Sequence, residues 1–334
     1  MSLDLSIVIV NWNGLTVLRN CLASIYGTPQ GISFEVILVD NASHDESVAV
    51  VQRDFPQVRI VQNQQNRGFA AANNQAFAIA EGRYVLLLNN DTVVLENALA
   101  ASVRFMDDQP KIGAMGCRCE FLNRTFQTSC YRFNDPLELF MTRLLPLGSV
   151  NNERLNYGRY WGRAFTEPTD VDVVAGCYMV LRREVIAATS GFDEDFFMYG
   201  EDEEWCWRIK QAGWRIVYFP GATIIHLHRF SSNQTRRAPR IMESMSPMLV
   251  LHKRRGFLAA WCGNLVLLFA FLLRLPLRLA LDLVHTAKGT AQQGLISGRF
   301  GILAVHLKGL FWPVWLPTAK KTEAKPASPQ AAIR

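Results

Sequence analysis

At 334 residues the chain is longer than an ordinary domain of roughly 100–200 residues, which implies one large domain with an appendage. Its 49% hydrophobic and 19% charged content excludes a disordered chain. The net charge of +6 is uneven: 14 Lys and Arg between Arg229 and Lys321 face only Glu243 and Asp282, so the remainder is acidic.

Those cations are interleaved with Leu and Phe and come without a zinc finger or comparable module. This favours a membrane surface over nucleic acid as the partner. The seven cysteines include no Cys-x-x-Cys pair, and most sit in apolar runs such as Ala175-Gly176-Cys177-Tyr178. They read as small buried hydrophobes in a reducing compartment. The N-terminus enters a strand directly, without a basic–apolar–small leader, so the catalytic part is expected in the cytosol.

In chain order, Leu5–Val10 is an apolar, β-branched run ending in the turn Asn11-Trp12-Asn13-Gly14. Leu15, Leu18, Leu22 and Ile25 then carry helical spacing. Phe34–Val39 predicts a second buried strand closed by Asp40-Asn41, followed by a helix near 45–53 and a short strand at 58–61. The Ala-rich stretch 68–80 predicts a helix, and Tyr84–Leu88 a third strong strand. Apolar strands alternating with helices predict an α/β fold with a mostly parallel sheet covered on both faces. In such sheets ligands sit beyond the carboxyl ends of the strands. There lie Asn11 and Asn13, Asp40 and Asn41, and Asn89-Asn90-Asp91.

Beyond Pro110, a strand is expected at 112–117 and an irregular aromatic region at 134–169. A buried strand pair bent at Gly176 follows over 171–181, then a helix over 203–212 stopped by Gly213. Two short strands flank Pro220-Gly221, at 214–219 and 222–225.

Three constellations carry chemistry. Asp91, after a buried strand and two Asn, supplies hard oxygen ligands for Mg2+ or Mn2+ and a diphosphate, although Asn-Asn-Asp-Thr is equally good turn chemistry. In Glu201-Asp202-Glu203-Glu204, the last two acids suit a helix N-terminus, while Asp202 or Glu201 can face the crevice as general base. The aromatic surroundings would raise that base's pKa. His226, at a strand end, is either structural or a metal ligand alongside Asp91. Arg229, Arg236, Arg237 and Arg240 suit a diphosphate on donor or lipid acceptor, or, for the last three, a solvated or membrane-facing basic run.

These pieces, in this order, resemble family 2 glycosyltransferases of GT-A fold, in particular the rhamnosyltransferase-like branch. The resemblance rests on Ser6–Asn13, Val39-Asp40-Asn41-Ala42-Ser43, Asn66-Arg67-Gly68-Phe69-Ala70, Leu87–Thr92, Gly191-Phe192-Asp193-Glu194, Gly200-Glu201-Asp202 and His226, spanning about residues 3–232. It implies that Asp40 lies by the nucleobase and ribose, and that Asp91 is the last acid of the DxD metal motif. Asp202 corresponds to the catalytic base, and His226 can complete the metal site. Asn66, Arg67 and Gly68 would line the nucleoside or sugar, with Asn11, Asn13, Asn90, Glu201 and Arg229 as further substrate contacts. Asn89 departs from the motif, so the site carries one charge fewer. The implied reaction is inverting transfer of a sugar, rhamnose from dTDP-rhamnose first, with a UDP-sugar or an inactive nucleotide-binding scaffold as alternatives. An oxidoreductase would need Gly-x-Gly-x-x-Gly after the first strand, where this chain has Asn-Trp-Asn-Gly.

The C-terminal part reads separately. Phe257–Leu273 is uncharged over 17 residues, at the short end of the ~17–25 that span a bilayer, and Asn264 interrupts it. Basic residues flank both sides, which favours a helix lying in the interface, with Trp261, Phe269 and Phe271 in lipid, over a true span. A second amphipathic stretch, 300–316, carries Trp312 and Trp315. A buried helix pair covering the core is the alternative, but it leaves the cations without a use. The expected organisation is a catalytic domain over 1–235, with halves at 1–110 and 111–235. A membrane-associated region over 236–317 and a disordered tail over 318–334 follow. Attachment to the cytosolic membrane face would present a polyprenyl-diphosphate-linked saccharide as acceptor, in assembly of a cell-surface polysaccharide.

Overall fold

A computed structural model describes residues 3–27, 31–136, 139, 165–227, 238–287 and 295–313. Most of the region expected to be irregular at 134–169, the tail, and Arg229, Arg236, Arg237 and Trp315 lie outside these residues.

The first strand, β1 (Leu5–Asn11), shows why the sheet is buried on both sides. Successive side chains point to opposite faces. Leu5, Ile7 and Ile9 enter one core, with Leu18, Leu22 and Ile25 of α1 (Leu15–Tyr26). Val8 enters the other, with Ala70, Ala72 and Ala76 of α3 (Phe69–Phe77). Between these elements run β2 (Phe34–Asp40), α2 (Ser47–Asp54) and β3 (Arg59–Gln62). The chain then crosses back to β4 (Tyr84–Leu88), on the far side of β1.

The order β3-β2-β1-β4 is parallel throughout. The order in which strands are added reverses between β1 and β4, which is a topological switch point and opens a crevice at the carboxyl edge. Asn11 pairs in register with Asp40 at that edge.

After β5 (Thr92–Val94) and α4 (Ala98–Asp108) come β6 (Ile112–Glu120), β7 (Phe126–Gln127), β8 (Cys130–Tyr131), β9 (Thr169–Asp170), β10 (Val173–Val174) and β11 (Tyr178–Arg182). β11 inserts antiparallel between β4 and β6, so the turn before it, at Gly176-Cys177, arrives beside the end of β4. Helices α5 (Arg183–Thr189) and α6 (Glu201–Gln211) follow. The two short strands expected around Pro220-Gly221 are one strand, β12 (Arg215–His226). Its register against β6 slips between Phe219 and Thr223. A bulge tolerates the missing proline N–H, so the sheet continues through a dipeptide that otherwise ends strands. β12 pairs with β5, setting His226 opposite Thr92. The halves expected on either side of residue 110 therefore share one sheet.

Helices α7 (Ala238–Arg255), α8 (Phe257–Ala287) and α9 (Leu295–Lys308) complete the described chain. Met248 and Leu251 of α7 pack on Ala260 and Leu267 of α8. At the centre of this unit lies a buried polar chain. His306 joins Ser244 at 2.9 Å and Asn264 at 2.8 Å, and the Asn264 amide donates to the His306 carbonyl at 3.0 Å. Phe257–Pro276 has mean hydropathy 1.9. Leu258, Leu265, Phe269, Leu272 and Leu273 form its outward stripe, continued by Phe300, Phe311 and Trp312 near α9. Two expectations are corrected here. Phe271 is buried, and the Trp261 indole donates to the Leu310 carbonyl at 3.2 Å, so of the three aromatics only Phe269 faces outward.

Candidate active site

The carboxyl ends of β1, β2 and β4 are knitted by amide side chains. The Asn90 amide donates to Asn11 Oδ1 at 2.8 Å, and the Asn11 amide donates to Asp40 Oδ1 at 3.3 Å and Ser43 Oγ at 3.2 Å. Asp40 Oδ2 accepts the Ser43 N–H at 3.0 Å. Asn13, with φ +50, accepts the His44 N–H on Oδ1 at 2.7 Å. Asn11, Asn13, Asn90 and Asp40 thus spend these bonds on each other and on the 40–44 loop. They shape the crevice wall, and the buried Asn11–Asn90 pair is bracing rather than an open contact.

The next wall is the 66–68 loop. Asn41 donates to the Gly68 carbonyl at 3.0 Å and accepts the Arg67 N–H at 3.2 Å, while Asn66 Oδ1 accepts the Gly68 N–H at 2.9 Å. Gly68 has φ +84, and a Cβ there would lie 2.5 Å from the Phe197 carbonyl. Glycine is required on both counts. That carbonyl accepts the Phe69 N–H at 2.7 Å, joining this loop to the segment before α6. The Arg67 side chain is exposed.

At the end of β4, Asp91 Oδ1 lies 3.2 Å from His226 Nε2, and both groups are nearly buried. The Asn89 amide nitrogen is 3.3 Å from the same Nε2. Behind the ring, His226 Nδ1 meets Gln127 Oε1 at 2.8 Å. A carboxamide oxygen only accepts, so Nδ1 carries a proton, and in the neutral ring the Nε2 lone pair is turned toward Asp91. Burial opposes charging this imidazole, but Cys177 and Asp91 favour it, and its pKa stands at about 8.

The donors are hard oxygen and imidazole nitrogen, converging at a strand edge. They fit a divalent cation such as Mg2+ or Mn2+ that leaves most positions to phosphate and water. Among the described residues no cluster of three or more His, Cys, Asp or Glu is placed to enclose an ion by itself. Gln127 was invisible to sequence reasoning, since it sits on a two-residue strand 99 residues from its partner.

The acidic run is placed differently from the expectation. α6 begins at Glu201, so all four acids occupy its first turn. Gly200, at φ +92, makes the sharp entry that lets the helix start two residues early. Glu204 is paired with Arg208 at 2.7 Å and Glu203 with Arg254 at 3.1 Å. Asp202 keeps part of its surface open, with Oδ1 accepting the Glu203 N–H at 2.9 Å. Loss of hydration raises its pKa, against hydrogen bonds from the Glu203 and Gly176 backbone. Glu201 is buried with Oε2 lacking a hydrogen-bond partner, and burial, then the neighbouring Asp202, lift it to about 8.

One turn links the two acidic groups. The Gly176 backbone lies close enough to the Asp202 carboxylate to favour its charged form, and the next residue, Cys177, accepts the Asn89 N–H at 3.1 Å. Cys177 and five of the other cysteines are buried, and all seven are free thiols.

The chain belongs to the glycosyl transferase family 2, whose model matches residues 6–189. Its mostly parallel α/β sheet is the GT-A fold. Among curated relatives, the N-acetylglucosaminyl-diphospho-decaprenol L-rhamnosyltransferase of Mycobacterium tuberculosis is 28% identical over 245 residues, covering 66% of this chain and 75% of its own. The O-antigen biosynthesis protein RfbC of Myxococcus xanthus is 28% identical over 239 residues, covering 68% of this chain but only 17% of its own. Rhamnosyltransferase WbbL of Escherichia coli K12 is 29% identical over 169 residues, 48% of this chain and 60% of its own. Among solved structures, the mannosyltransferase PcManGT from Pyrobaculum calidifontis, in complex with GDP-Man and Mn2+, aligns with TM-score 0.55. It is 18% identical and covers 94% of this chain and 88% of its own, a likeness of fold.

Proposed function

We propose that this glycosyltransferase moves rhamnose from dTDP-rhamnose, with inversion, onto a hydroxyl of a polyprenyl-diphosphate-linked saccharide during assembly of a cell-surface polysaccharide. The observation that carries this reading is the Gly176-Cys177 turn, whose Gly176 backbone lies close enough to Asp202 to favour its charged form and whose Cys177 carbonyl holds Asn89, beside Asp91 and His226. A base for the acceptor and a binding place for the departing diphosphate thereby flank one crevice. The donor and acceptor come from the names of the relatives, two of them rhamnosyltransferases and one specified for a decaprenol-linked diphosphate.

In this reading Asp202 takes the proton of the attacking hydroxyl as that oxygen bonds to the anomeric carbon. The bond from that carbon to the diphosphate breaks on the opposite face, releasing the nucleoside diphosphate. The raised pKa of Asp202 makes it a stronger base than a solvated aspartate, while its partly open surface leaves room for the acceptor. Asp91 and His226 would hold Mg2+ or Mn2+, which when bound neutralises charge on the departing diphosphate. Arg67, exposed at the rim, can add to that. Asp40 holds the loop against which the nucleobase would lie.

Residues 1–235 form the catalytic unit in this account and 236–317 a unit docked on the cytosolic leaflet. The outward stripe of α8 favours lying in the interface over crossing it, because the opposite face is already committed to α7 and α9 through Asn264 and His306. The test is transfer of labelled rhamnose from dTDP-rhamnose to the organic extract of a membrane preparation, with wild type and a chain lacking 257–334. The reading predicts label in the lipid fraction that depends on 257–334. Equal transfer by the truncated chain would refute the membrane role, and label only in water-soluble product would refute the lipid-linked acceptor.

A further inference from the structure

The last turn of α7 grips both ends of the loop that leads into α6. At the near end, Lys253 Nζ contacts Asp193 Oδ2 at 2.8 Å and also Asp195. In the middle, Leu249 and Val250 enclose Phe196, and Val250 and Ser246 crowd Gly200 so that a Cβ there would lie 3.0 and 3.1 Å from them. At the far end, the Arg254 guanidinium donates to Glu203 Oε1 at 3.1 Å and to the Asn134 carbonyl at 2.9 Å. It also lies over the Phe133 ring, 4.3 Å from its centre. The side chains of Arg254 and Glu203 are 7% and 9% exposed, far from the solvated pairs that contribute little. Asn134 closes the arrangement, its backbone N–H donating to Glu203 Oε1 at 2.7 Å and its amide to Oε2.

Asp202 is the residue immediately before Glu203, and the Glu203 N–H donates to its carboxylate. Whatever fixes Glu203 therefore fixes the direction of Asp202. The four acids of this turn cannot be held at one helix end by the macrodipole alone, and two of them, Glu203 and Glu204, have cations. Arg208, which serves Glu204, belongs to α6 itself. Arg254 reaches in from the helical unit that bears the exposed apolar stripe.

We propose that Arg254, with Lys253 beside it, is a positioning residue for Asp202, holding the 193–203 segment against the C-terminal helices so that the carboxylate faces the acceptor. This rests on Asp202 being the acceptor base, and it adds a reason for Lys253-Arg254-Arg255 that membrane attraction does not supply. It also makes the helical unit part of the active site's frame, so catalysis depends on α7 even for an acceptor that never touches a membrane.

The experiment uses the full chain with dTDP-rhamnose as donor and a membrane extract as acceptor, beside dTDP binding in the presence of Mn2+. Arg254→Met should lower kcat about tenfold or more, since small misplacement of a catalytic group is costly, while the dTDP Kd stays within about twofold. Arg254→Lys should fall between, because it keeps the charge and loses the fork that reaches Glu203 and Asn134 together. Lys253→Met, at the more exposed end, should lower kcat several-fold at unchanged Kd. The double variant Glu203→Gln/Arg254→Met should be no slower than the worse single variant.

Arg254→Met with wild-type kcat beside an inactive Asp202→Asn would overturn the inference and leave the base assignment standing. Active Asp202→Asn would remove the base assignment and the inference with it. Loss of dTDP binding in both Arg254→Met and Lys253→Met would make the clamp purely structural and overturn it as well.

Discussion

Replacing Gln127 by Leu isolates one hydrogen bond of the candidate metal site. Gln127 is buried and gives Oε1 to His226 Nδ1 at 2.8 Å, while its own Nε2 is buried without a partner. Leucine therefore removes one made bond and one unmet donor. The second effect offsets much of the cost of the first, so global stability should change by about 1 kcal/mol or less. The imidazole, however, loses the acceptor that fixes its tautomer. Without that acceptor, the proton shifts more readily to Nε2, where it faces Asp91 and blocks metal ligation. Loss of such a supporting bond lowers metal affinity about 10–100-fold, or about 1.4–2.8 kcal/mol. The assay is Mn2+ titration of the dTDP-saturated protein by electron paramagnetic resonance, at one pH for all variants, above the value of about 8 for His226. Gln127→Glu, which can only accept, should bind at least as tightly as wild type. Mn2+ affinity within twofold of wild type in Gln127→Leu, with loss in Asp91→Ala, would refute the role given to Gln127.

Three further outcomes are expected. Asp202→Asn should lower turnover by about 100- to 10,000-fold with dTDP affinity unchanged, and a parallel loss of dTDP binding would argue against a general base. His226, at about 8, is protonated below that pH and must shed the proton to ligate metal. Mn2+ affinity should therefore climb from pH 6 to about 8 and level off above, and a flat profile would contradict His226 as ligand. Gly68→Ala should cost about 1–3 kcal/mol in denaturant unfolding, because φ is +84 and the Phe197 carbonyl must move, and it should also slow turnover by displacing the segment before Asp202.

The carboxyl edge was legible in the sequence because β1, β2 and β4 are nearly unbroken apolar runs that end in, or are followed directly by, Asn or Asp. Where the apolar pattern is short it carries no signal. β5 has three residues and β7 two, too few to show a period, yet these strands bring Asp91 and Gln127 to His226. α4, amphipathic but closely following Asn97, was not anticipated, although its buried Leu99, Val103 and Met106 cover one face of the sheet.

The start of α6 is not legible in the sequence because Gly200 in the left-handed region, rather than a side-chain cap, opens the helix. The orientation of α8 was unreadable for a different reason. A helix apolar on nearly every side does not say which stripe is inward, and the choice was made by Asn264 meeting His306 from α9. Arg254 looked like the flank of a membrane segment, and only tertiary packing places it on Glu203, 51 positions earlier.

The most direct measurement is release of free nucleoside diphosphate by the purified full chain, supplied with a membrane extract, Mn2+ and each of a panel of dTDP- and UDP-sugars. The account predicts acceptor-dependent release of dTDP from dTDP-rhamnose, lost with chelation and in Asp202→Asn. Release from a UDP-sugar alone would overturn the donor assignment, and no release from any donor would contradict the central claim that this site transfers sugar.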